Sequence, residues 1–182
     1  YRFGDDRTVT CDDETCGTST TDTGGDTSSN FAGYSRLRGN IELVSGTPTI
    51  DSFESYLTVD PDSGSRCTLY WYLLTASTTA GPWTVAWDDS TTATAGTGLY
   101  SSGDIGKVLD DGTYVMFATA WGSTCNVDYY RGTTGSFGFS GSHYGYGYDS
   151  AFSTSNYTSA TTTAPGVAAT AALYYQTVTW TE

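Results

Sequence analysis

Thr68-Leu-Tyr-Trp-Tyr-Leu-Leu74 is the stretch on which the reading of the fold turns. It is apolar at odd and at even positions, so a strand built from it offers no face to water. A short apolar run of this kind, closed by turn clusters, reads as a central strand covered from both sides. Tyr114-Val-Met-Phe-Ala-Thr-Ala-Trp121 has the same character. Two such strands need a sheet around them and something packed on each side of it. Gln176-Thr-Val-Thr-Trp180 alternates instead, as a half-exposed strand does.

Working outward from these runs, strands are expected near Tyr34–Ser45, Ile50–Val59, Cys67–Ala76, Trp83–Trp87, Gly98–Ser101, Gly106–Leu109, Thr113–Trp121, Asn126–Tyr130, Ser136–Phe139 and Leu173–Thr181. Ser45-Gly-Thr-Pro48, Asp60-Pro-Asp-Ser-Gly64, Ala80-Gly-Pro82 and Asp110-Asp-Gly112 punctuate them with turn-forming residues. No segment repeats the 3.6-residue period of a helix. The expected fold is all-β, an antiparallel β-sandwich or jelly roll of about ten strands.

The composition agrees. In 182 residues there are 34 Thr, 21 Ser, 22 Gly and 15 Tyr, with a single Met, Lys and Gln. Thr and Tyr suit a pleated, half-buried surface, and Gly and Ser suit turns, so a helical bundle is excluded. The length is that of one domain. No apolar run approaches the ~20 residues of a membrane-spanning helix, so membrane insertion is excluded on that pattern. A formal net charge of -13 repels a polyanion, which argues against nucleic-acid binding. The sequence starts at Tyr1 with no signal peptide, as a processed product or a fragment would.

Cys11, Cys16, Cys67 and Cys125 lack the paired spacing of a zinc site. Four cysteines in an acidic, hydroxyl-rich chain read as disulfides, and so as secretion to the cell surface. The chosen pairing is Cys11–Cys16, which closes a local loop, with Cys67–Cys125, which joins two strand-like segments. Residues 1–30 differ from the sandwich domain expected at 31–182. Arg7-Thr-Val-Thr-Cys11 reads as a short strand, and Thr18–Asn30 holds only Thr, Ser, Asp, Gly and Asn, the composition of a tether. An arm of this form suits strand addition to the sheet edge of another copy of the chain, through Arg7, Thr8, Val9 and Thr10.

Ala80-Gly-Pro-Trp-Thr84, Gly96-Thr-Gly-Leu-Tyr-Ser-Ser-Gly103, Asp111-Gly-Thr-Tyr114, Ala120-Trp121, Val127-Asp-Tyr-Tyr130 and Tyr174-Tyr-Gln176 occur in that order. Over roughly residues 66–180 this pattern resembles β-sandwich modules of secreted and surface bacterial proteins. The resemblance implies a fold and a compartment. It implies no activity.

The residues that could carry chemistry are few. His143, the only histidine, lies in Gly141-Ser-His-Tyr-Gly-Tyr-Gly-Tyr148, a loop-like surface composition, and no G-x-S-x-G elbow accompanies any serine. Glu42 and Glu54 stand on neighbouring expected strands, where a carboxylate pair of a glycosidase would have to form. Each is the polar member of an alternating strand, so both are expected to face solvent and the chain is expected not to be an enzyme. Asp60-Pro-Asp62-Ser-Gly64 opens like a calcium loop, but Trp71 stands where the closing Glu would be, and an ordinary turn explains it as well. Calcium at Asp60 and Asp62 is the one cofactor the sequence suggests. Asp12, Asp13, Glu14, Asp22 and Asp26 form a second acidic cluster, read as solvated.

Tyr144, Tyr146, Tyr148, Trp83 and Trp87 are candidate platforms for sugar rings or a protein partner. Asn156-Tyr-Thr158 is an N-glycosylation sequon. The functional expectation is a secreted, non-enzymatic structural subunit that self-assembles at the cell surface, as a filament in its simplest form. The alternative is a carbohydrate-binding or adhesive module, with glycans as partners.

Overall fold

The computed structural model describes residues 16–21, 29–30, 36–132, 140–149, 154, 157 and 173–182. Their strands, in chain order, are β1 (Cys16–Thr21), β2 (Ser29–Asn30), β3 (Arg36–Val44), β4 (Thr49–Pro61), β5 (Arg66–Ala76), β6 (Thr84–Thr94), β7 (Gly96–Ser101), β8 (Lys107–Val108), β9 (Tyr114–Trp121), β10 (Cys125–Tyr129), β11 (Arg131–Gly132), β12 (Ser140–Asp149), β13 (Leu173–Tyr174) and β14 (Gln176–Thr181). Among the described residues there is no α-helix. The number exceeds the ten expected because β1, β2, β11 and β12 fall where no strand is expected, β12 over the segment that reads as a loop, and because the expected Leu173–Thr181 is two strands, β13 and β14. The expected strand at Ser136–Phe139 falls outside the described residues.

The strands form two antiparallel sheets of seven and five strands, and β11 pairs with β13 in a separate two-stranded ladder. In the first, the 13-residue β4 is the spine. Ser55 on β4 faces Gln176 of β14 on one side and Tyr100 of β7 on the other. Further along, Leu57 faces Tyr129 of β10 and Gly98 of β7. Strands β14 and β10 thus lie end to end on one edge of β4, and β8 and β7 lie on the other. β1 adds outside β14, and β2 outside β10. The second sheet has the order β12-β3-β9-β5-β6.

The sheets pack face to face. Phe53 of β4 meets Trp71 of β5 and Phe117 of β9 edge-on, with ring centroids 5.3 and 5.5 Å apart. Such pairs add about 0.5–1.5 kcal/mol each beyond the area they bury. Leu69, Trp71 and Leu73 of β5 and Val115, Phe117 and Trp121 of β9 point into this inter-sheet core. The alternate residues, Tyr72, Leu74, Met116, Ala118 and Ala120, form a second core on the outer face of the same sheet, with Leu37, Ile41, Trp83, Val85 and Tyr157. Tyr157 packs on Tyr72, centroids 5.5 Å apart. The two-sided apolar pattern of β5 and β9 therefore has its cause: both are interior strands of a sheet buried on both faces.

Cys67 on β5 and Cys125 on β10 are joined, Cα atoms 5.7 Å apart, and tie the two sheets together. The pairing expected for these two cysteines is present. Cys11 lies outside the described residues, so its expected bridge to Cys16 does too.

The start of the sheet differs from expectation. Composition puts Thr18–Thr21 in a tether ending at residue 30, yet Cys16–Thr21 is an edge strand paired along β14 from Cys16 opposite Thr181 to Thr21 opposite Gln176. Composition misleads here because a strand made of Thr and Ser has no apolar face to advertise it. Its gain comes from backbone hydrogen bonds to an edge that would otherwise be bare.

Candidate functional site

The feature that sets this interior apart is a seam of buried polar side chains between the sheets. It starts on β3. Leu37 and Ile41 fill the outer core, so Arg38, Asn40 and Glu42 are turned inward. All three are buried, at 7%, 0% and 0% exposure. Asn40 Nδ2 donates to the carbonyl of Tyr174 at 2.9 Å, and Asn40 Oδ1 accepts from the Tyr174 N–H at 2.8 Å. One side chain thus holds both backbone groups of a residue on β13.

The seam continues through Gln176. Its Oε1 accepts from the Asn40 N–H at 3.3 Å, and its Nε2 donates to Ser55 Oγ at 3.0 Å and to the Phe117 carbonyl at 2.9 Å. Ser55 Oγ and Thr119 Oγ1 share a 2.7 Å hydrogen bond. Residues of β3, β4, β9, β13 and β14 are joined in this way. At one end the Arg38 guanidinium lies 5.8 Å from the centroid of the Tyr129 ring and donates to the Leu37 carbonyl at 2.9 Å. A cavity of about 10 Å3 beside Arg38, Ser55, Thr119 and Gln176 is large enough for about one water. Asn40, Gln176, Ser55 and Thr119, bonded to one another and to backbone groups, specify how the layers meet.

Glu42 corrects an expectation. It is fully buried, not solvent-facing, and it lies in the second sheet while Glu54 lies in the first. Glu54 follows Phe53 and precedes Ser55, both inward, so it is on the outer face of β4. Two carboxylates on different sheets and different faces do not flank a common cleft. Among the described residues no three His, Cys, Asp or Glu side chains gather as a metal site would require. Asp60 is exposed at the end of β4, and Asp62 accepts a 2.6 Å hydrogen bond from Asn126 Nδ2.

The candidate platforms are dispersed. Trp83 is 1% exposed and belongs to the outer core, so the expectation that it offers a stacking face is overturned. Its place just ahead of β6 brings it over the apolar outer face of β5, which an indole covers well. Trp87, opposite Leu73, is half-buried against the inter-sheet core. Tyr144, Tyr146 and Tyr148 lie on β12, at the positions opposite Ile41, Asn40 and Arg38. His143 is opposite Glu42. Arg7, Thr8, Val9, Thr10 and Asn156 lie outside the described residues.

An aromatic group that the sequence reading missed is on the outer face of the first sheet. Tyr56 stacks on Tyr175, centroids 5.1 Å apart and planes 18° apart, and meets Tyr130 edge-on at 5.0 Å. Thr58 Oγ1 hydrogen-bonds both Tyr130 Oη at 3.1 Å and Thr97 Oγ1 at 2.8 Å. All three rings are half-buried. Their signal was the Tyr-Tyr doublets at 129–130 and 174–175, where one ring faces the core and the other must face out.

Comparison with protein-family models, with curated proteins and with solved structures finds no match for this chain.

Proposed function

We propose that this chain is a secreted, non-enzymatic structural subunit, a β-sandwich that self-assembles at the cell surface by adding an N-terminal strand to a neighbour. The observation that carries the reading is how the polar residues are used. Asn40, Gln176, Ser55 and Thr119 spend their hydrogen bonds on one another and on backbone groups of facing strands. With the Cys67–Cys125 bridge, they make a frame of fixed layers whose free edges are sheet edges. Sheet edges are where one β-domain adds to another. Localisation outside the cell rests on the same disulfide and on the hydroxyl-rich composition.

The experiment is deletion of residues 1–21 from the purified full chain. The expected result is a folded monomer, with unchanged near-UV circular dichroism, that no longer forms the polymers of the full chain in light scattering and electron microscopy. Polymers of unchanged amount and form after the deletion would remove the N-terminal strand as connector.

A second reading, a carbohydrate-binding or adhesive module, is favoured by one observation, the Tyr56–Tyr130–Tyr175 cluster on an outer sheet face. Aromatic rings take sugar rings on their apolar faces. Its test is a polysaccharide pull-down comparing the full chain with Tyr56→Ala. Retention that the substitution abolishes supports it, and no retention of either protein removes it.

A further inference from the structure

We infer that β1 is exchangeable between copies, and that Cys16–Thr21 of one molecule completes the β14 edge of the next in the register it takes here. The inference rests on the self-assembly reading and names the donor and acceptor strands, which that reading leaves open.

The acceptor is built to last. β14 is bonded to β4 through six residue pairs, and its Gln176 and Val178 are fully buried in the frame. Without β1, its outer edge from Gln176 to Thr181 would present unpaired N–H and C=O groups. The donor is the reverse. Gly17-Thr-Ser-Thr-Thr21 contains no aliphatic or aromatic side chain, and what the structure places against β14 is its backbone ladder, six residue pairs long. The ladder bonds are the same whichever chain supplies the strand. Exchange between chains conserves them all.

Connectivity permits the exchange. Residues 22–28 join β1 to β2, and β2 is tied to β10 by Ser29 opposite Tyr129 and Asn30 opposite Asp128. Eight Cα steps separate Thr21 from Ser29, so the strand reaches at most about 28 Å from its anchor. The acceptor edge of the neighbour must lie within that distance. Each molecule then gives one strand and receives one, a heterologous contact that continues as an open polymer. The segment Arg7–Cys11, expected as the donor, lies outside the described residues.

β6, an 11-residue edge strand of the second sheet, is a poorer acceptor, because Asp88 and Asp89 stand together at its middle. Charge is a usual means by which an edge is kept from pairing.

The test uses two full-length variants, Thr18→Cys and Thr179→Cys, whose positions face each other across the β1–β14 ladder. The two are purified separately, mixed, allowed to assemble and oxidised. A bond between residues 18 and 179 in this mixture can form only between chains. The expected result is a covalent dimer in the assembled fraction, on non-reducing gels, with a peptide linking 18 to 179. Each variant alone gives no such peptide. Assembled material without the 18–179 product, while the double variant in one chain links within itself, overturns the exchange and leaves the self-assembly reading standing. No assembly of the unsubstituted chain at any concentration overturns both.

Discussion

Replacing Asn40 tests whether the polar seam holds the two sheets together. Asn40 is fully buried and its amide satisfies both backbone groups of Tyr174, itself 3% exposed. Asn40→Leu keeps the branching and heavy-atom count of the side chain and removes both bonds, stranding one buried N–H and one buried C=O. Each unsatisfied buried group costs about 1–3 kcal/mol, so the expected loss is about 4 kcal/mol. That is a large part of the 5–15 kcal/mol by which a domain of this size is typically stable. Asn40→Asp separates the two bonds. Its carboxylate still accepts from the Tyr174 N–H, but its second oxygen faces the Tyr174 carbonyl unless it carries a proton. Burial raises the pKa of such a carboxyl above its unfolded value. The folded state then holds the proton more tightly than the unfolded chain. The variant's stability is therefore recovered below the unfolded pKa and lost as pH rises through the folded one. The assay is guanidinium denaturation followed by tryptophan fluorescence, disulfide intact, at pH 7 and pH 4. Asn40→Leu is expected to lose about 4 kcal/mol at both, and Asn40→Asp to lose much less at pH 4 than at pH 7. An Asn40→Leu loss below about 0.5 kcal/mol, the size of an ordinary surface substitution, would refute the reasoning.

Three further outcomes are expected. Cys67→Ala with Cys125→Ala opens a bridge between residues 58 apart, and the loop-entropy account puts the loss at about 4 kcal/mol, read from the denaturation midpoint. Gly39→Ala places a methyl group on the carbonyl oxygen of Phe117 and 2.8 Å from the Ala118 Cα, so β3 and β9 must move apart; a loss of about 2–3 kcal/mol is expected in the same assay. Asp51 has its pKa raised from 3.8, first by burial and then by the nearby Asp104 carboxylate. Its ionised form disfavours the fold at neutral pH, an effect absent below the unfolded pKa. Asp51→Asn is expected to raise the thermal midpoint slightly at pH 7, with the gain gone below the unfolded pKa, as thermal melts at the two pH values would show.

The strands were largely legible because a buried strand writes its environment into both of its faces. Leu69, Trp71 and Leu73 face one core and Tyr72 and Leu74 the other, and this shows in the sequence as an unbroken apolar run. The same rule explains the failures. Alternation on β3, with Arg38, Asn40 and Glu42 between Leu37 and Ile41, reads as one face toward water, whereas both faces are buried. A polar residue looks the same in sequence whether its partner is water or the Tyr174 backbone. Trp83 reads as a platform for a like reason: an indole carries no mark of what covers it.

What the chain determined by itself is therefore what depends on neighbours in sequence. Strand spans, turns at glycine and proline, and an all-β composition follow from backbone preferences and local apolar pattern. Whether Asn40 meets Tyr174, whether Glu42 stays apart from Glu54, and whether Thr18–Thr21 is tether or strand depend on segments more than a hundred residues distant, or on which sheet a strand joins. Only the tertiary structure decides these, because a hydrogen bond across a core is set by the geometry of both layers at once.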